Sequence, residues 1–106
     1  KNTFGESKYV DVTIDVKSIT GGYNKGNSSD DDATVNSVTE KVNISIVSDY
    51  DTLWSTSNVD KNDKKTAQIL GKGSMDMKVI ITDNDGGYWT KPFNVNFNTE
   101  TSKTIK

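Results

Sequence analysis

Several stretches of this chain place an apolar residue at every second position. Val10, Val12, Ile14 and Val16 alternate with Asp11, Thr13, Asp15 and Lys17, and Val42, Ile44 and Ile46 alternate with Lys41, Asn43 and Ser45. Met75, Met77, Val79 and Ile81 stand against Asp76, Lys78 and Thr82, while Trp89, Phe93, Val95 and Phe97 share one parity with Lys91. In an extended strand successive side chains point to opposite faces, so each run makes one apolar face and one wet face. The apolar faces are buried when two sheets stack on each other. Weaker strands are predicted over Thr52–Ser57, around Trp54, and over Ala67–Leu70. No window carries a capped helical period, so at most one turn of helix is expected.

The breaks between these runs are turn material. A long polar loop runs from Gly21-Gly22 to Asp32, Asp60–Lys65 is a charged turn, and Gly71-Lys72-Gly73 is tight. Asp83-Asn84-Asp85-Gly86-Gly87 reads as a hairpin turn, because Asp-Gly and Gly-Gly tolerate the positive φ such turns need. Pro92 suits an edge strand, where its missing N–H is harmless. Together these signals predict one all-β domain over residues 1–106, an antiparallel two-sheet sandwich of about seven strands. The polar stretch 99–106 reads as a frayed tail or linker.

Composition narrows what such a domain could do. Only 31% of the residues are hydrophobic, yet their ordered alternation argues for a folded chain rather than a disordered one. With 13 basic and 15 acidic residues the net charge is −2, which provides no basic field for a phosphate backbone, and no nucleic-acid partner is expected. The chain has neither cysteine nor histidine, which removes disulfides, thiol nucleophiles, His-based triads and the usual zinc sites. No apolar run approaches the ~18 residues of a membrane span. Lys1-Asn2-Thr3-Phe4-Gly5 shows no initiator Met and no signal-peptide pattern, so a mature or excised piece of a longer chain is expected. An enzyme is not expected.

Two kinds of site remain open. A calcium ion takes six to eight oxygens, largely carboxylates and carbonyls from converging loops. Asp30, Asp31 and Asp32, Asp49 with Asp51, and Asp83 with Asp85 all fall between strands, and Asp83, Asp85 and Asp30–Asp32 are the candidate ligands. The competing explanation is that Asp and Asn simply favour turns, where their side chains accept local N–H groups. A glycan site would instead need an exposed aromatic face. Trp54, Tyr88, Trp89, Tyr23 and Tyr50 are the aromatic candidates. Trp54, mid-strand, is expected to anchor the core. Tyr88 and Trp89 follow a glycine turn, so at least one should face solvent, and this pair is the candidate ligand platform.

Asp51-Thr52-Leu53-Trp54-Ser55-Thr56, Gly73, the run from Met77 to Gly87, and Phe93-Asn94-Val95-Asn96-Phe97 fill the second half of the chain. Through them it resembles an immunoglobulin-like module of the polycystic-kidney-disease (PKD) type found in bacterial surface and secreted proteins, which implies Ig-like connectivity, with C2-like connectivity as the alternative. Ser55-Thr56-Ser57-Asn58 stands where that family carries glycine-aspartate-glycine. The resemblance implies a non-catalytic extracellular or cell-surface module, serving adhesion, spacing or protein interaction among neighbouring domains. A second resemblance, carried by Asp83-Asn84-Asp85 after a strand, is to C2-type modules and implies calcium-dependent binding.

Overall fold

The computed structural model describes residues 6–19, 22–24 and 41–106, and within them the chain is a two-sheet all-β sandwich. The described residues form seven strands: β1 (Lys8–Asp15), β2 (Lys41–Val47), β3 (Thr52–Asp60), β4 (Lys64–Gly71), β5 (Ser74–Thr82), β6 (Tyr88–Asn96) and β7 (Ser102–Ile105). One sheet runs β4-β1-β7 and the other β3-β2-β5-β6. The helical content of the described residues is a single 3-10 turn, Val16–Ser18, directly after β1.

Alternation along the strands decides which face is buried. Val10, Val12 and Ile14 of β1 and Ala67 and Ile69 of β4 point inward, against Val42, Ile44 and Ile46 of β2, Met77, Val79 and Ile81 of β5, and Val95 of β6. No polar or charged residue is buried in this interior among the described residues. Outward positions are polar and pair across strands; Thr13 and Thr66, opposite each other in register, share a hydroxyl hydrogen bond of 2.8 Å. Trp54 departs from its expected place at the centre of the core. It is only half-buried, because β3 is an edge strand whose pairing with β2 is irregular between Val42 and Ile44 and between Ile46 and Val47. Such bulges twist an edge and re-aim its side chains, and Trp54 packs from the margin with Leu53, Met75 and Phe93.

Two expectations are corrected. The stretch 99–106 is not a frayed tail: residues 102–105 form β7, and Ile105 is 4% exposed beside Ile14. Nor is every pair antiparallel, since β7 runs parallel to β1, with Asp11 opposite Ser102 and Ile14 opposite Ile105. The architecture is compatible with an Ig-like sandwich. In that arrangement the first strand lies antiparallel beside the second, whereas here, among the described strands, β1 lies between β4, antiparallel to it, and β7, parallel to it.

Strand directions define two ends of the sandwich. At the near end lie the start of β1, the β2–β3 turn, the β4–β5 turn and the start of β7. At the far end lie the 3-10 turn, the β3–β4 turn, the Asp83–Gly87 turn and the end of β7.

Candidate functional site

The best-defined polar constellation sits at the far end. Beyond the 3-10 turn, Ile19 and the Tyr23 ring are buried in the core. Asn24 and Tyr88 exchange backbone hydrogen bonds of 2.8 and 2.9 Å, fastening this segment to the first residue of β6. The Tyr23 hydroxyl then donates to Asp83 Oδ2 at 2.7 Å. Asp83 Oδ1 accepts the N–H groups of Asp85 and Gly87, each at 2.8 Å. The backbone turns through Gly86 at φ +88°, which glycine adopts at no steric cost. A Cβ on Gly87 would lie 2.5 Å from Asp83 Oδ2 and 2.9 Å from the Tyr23 ring, so only glycine fits under this arrangement.

The electrostatics follow from that geometry. Burial pushes the Asp83 carboxyl up, but the hydrogen bonds from Tyr23, Gly87 and Asp85 outweigh it and hold it below the ordinary aspartate value. For Tyr23, burial and then the Asp83 carboxylate raise the phenol well above its ordinary value. Asp83, expected as a calcium ligand, thus has both oxygens engaged as acceptors inside its own turn. Asp85 is exposed beside it. Asp30, Asp31 and Asp32 lie outside the described residues; Asn24 and Lys41, the described residues nearest them in the chain, are both at the far end. Asp49 and Asp51 lie at the near end: β2 pairs with β5 from Asn43–Thr82 to Val47–Lys78, and the two acidic turns extend beyond opposite limits of that ladder. Strand rise makes their separation on the order of 15–20 Å. No group of three or more acidic residues stands in position to hold a metal ion among the described residues.

The aromatic candidates are divided as well. Tyr88 is 49% exposed and Trp89 8%, as period two requires of neighbours on one strand. Trp89 faces the interior, with its indole against Gly22. Tyr50 is 92% exposed at the tip of the β2–β3 turn, at the other end of the sandwich from Tyr88. The exposed pair Tyr50 and Tyr88 therefore does not form one stacking platform. A groove of about 450 Å³ at the near end of the four-stranded sheet is bounded by Val47, Asp49, Asp76, Lys78 and Pro92, and no aromatic side chain lines it.

A second polar cluster at the near end gave no sequence signal. Lys103 of β7 reaches across to the other sheet, donating to the Asn94 carbonyl at 2.6 Å and to Glu100 Oε2 at 2.9 Å. Glu100 Oε1 accepts the Asn96 N–H at 2.7 Å. That backbone bond, followed by Lys103, holds the Glu100 carboxyl below its ordinary value. Near the far end Lys91 of β6 reaches in the opposite sense, donating to the Lys106 carbonyl at 3.3 Å. Only the Glu100–Lys103 spacing could have hinted at this, and an i, i+3 pair is too common to single out.

No family model, curated protein or solved structure matches the chain. Among the described residues, no helix is long and apolar enough to cross a membrane.

Proposed function

We propose that this domain is a non-catalytic spacer and interaction module of an extracellular or cell-surface protein, holding neighbouring domains apart. The observation that carries the reading is the parallel β1–β7 pair. Because these strands lie side by side and run the same way, chain joined before β1 and chain joined after β7 leave from opposite ends. The eight residues of β1 separate those points by about 25 Å at the usual strand rise. A polar outer surface over a dry interior suits a module that works by shape, and the PKD-type resemblance of the second half favours the same use. The lack of histidine and cysteine, with the Asp83 carboxylate engaged in its own turn, favours a non-catalytic role.

Fluorescent reporter proteins fused before β1 and after β7 test this. Energy transfer should report a separation close to the length of the module plus the reporters, unchanged by calcium. Reporters found on the same side would overturn the spacer reading. Saturable binding of calcium, or of a glycan lost in Tyr88→Ala, would replace it with that of a ligand-binding module.

A further inference from the structure

We infer that the β1–β7 pair is a tension clamp, which sets the force at which this module opens when pulled from its two ends. The inference rests on the spacer reading, because only a module tethered on both sides is pulled in this way. Tension would draw β1 back towards the near end and β7 towards the far end, along one line and in opposite senses. The ladder between them starts at Asp11 N–H to Thr101 O, 3.0 Å, and extends to Ile14 opposite Ile105. Its rungs cross between the strands, so a pull along the strands loads them all together. A pull across the strands would open them one after another.

The surroundings of β7 favour the same role. Among the described strands it lies at the sheet edge and has only four residues, so its ladder to β1 is the shortest link between the two points of attachment. Four contacts resist its sliding: Lys103 on the Asn94 carbonyl, Lys103 on Glu100, the Lys106 carbonyl under Lys91, and Ile105 seated beside Ile14. β1 is held on its other side by eight residue pairs with β4, from Lys8–Gly71 to Asp15–Lys64, and stays in place while β7 bears the load.

Single-molecule pulling along two axes of the same fold tests the clamp. Handles on Glu6→Cys and Lys106→Cys load the pair lengthwise, whereas handles on Lys17→Cys and Lys106→Cys, both at the far end, peel it from the Ile14–Ile105 rung. All three positions are exposed. At equal pulling rate the lengthwise axis should need a several-fold higher force, since forced unfolding is governed by the unfolding barrier along the pulled direction. Equal forces, or a weaker lengthwise axis, would overturn the clamp. That result would leave the spacer reading to the unloaded separation of the two ends, which the reporter experiment measures independently.

Discussion

The Tyr23 hydroxyl supplies one of the three hydrogen bonds on Asp83, and phenylalanine would remove it while keeping the buried ring. A hydrogen bond to a charged acceptor is worth about 1.5–3 kcal/mol, less at a carboxylate that is partly exposed. Tyr23→Phe should therefore cost about 1–2 kcal/mol in urea denaturation, and an unchanged midpoint would show that the bond contributes nothing. The same pair shapes the pH profile. The folded-state pKa of Asp83 is lowered, so its contribution is present above the unfolded value of about 3.9 and is lost as pH falls through the folded value. Tyr23 has the opposite sign: its pKa is raised, so its contribution is present below about 10 and is lost as pH rises through the folded value. In Tyr23→Phe both limbs should flatten relative to the wild type, and coincident profiles would refute the coupling. Sequence alone placed Tyr23 among possible sugar platforms and Asp83 among possible metal ligands. It named both residues but could not show that they face each other, since 60 positions separate them along the chain.

Legibility at the level of elements followed the number of inward apolar residues. β1, β2 and β5 each bury three along one face, and period two is plain in all of them. β3 was faint because Thr56 and the half-buried Trp54, not aliphatic residues, oppose Ile44 and Ile46. β7 was invisible, since one buried residue in four makes no pattern and its pairing with β1 is supplied by the tertiary fold. That single residue should matter. Ile105→Ala removes the apolar anchor of β7, and core truncations of this kind cost about 2–5 kcal/mol, with an edge site expected near the lower figure. A denaturation midpoint within error of the wild type would return 102–105 to the status of a tail. Pro92 makes the complementary case on the other sheet. Among the described strands β6 lies at the edge of its sheet, and Pro92 there withholds an N–H that a foreign strand could use. Pro92→Val should leave stability nearly unchanged but raise self-association in sedimentation velocity, and a variant as monomeric as the wild type would remove proline from the edge's protection.

Strand order, a property of the whole molecule, decides what the acidic turns can do together. Their residues were legible as residues, but which end each turn occupies depends on pairing that no local pattern states. The β2–β5 ladder sends Asp49 and Asp51 to one end and Asp83 and Asp85 to the other, which divides the carboxylates a single ion would have to gather. At the far end Asp83 already accepts three hydrogen bonds, so a cation there would compete with the Tyr23 hydroxyl and two backbone N–H groups. Calcium should accordingly do little for stability. A ligand held at a hundred times its Kd adds about 2.7 kcal/mol, and for a domain of this size that raises the melting temperature by about 10–20 °C. Melting curves in millimolar calcium and in chelator should instead coincide, with magnesium as the control for ionic strength. A calcium-specific rise approaching that size would mean that carboxylates beyond those of the Asp83–Gly87 turn join in holding an ion. The far end would then be an ion site, and rigidity between neighbouring domains would come to depend on calcium.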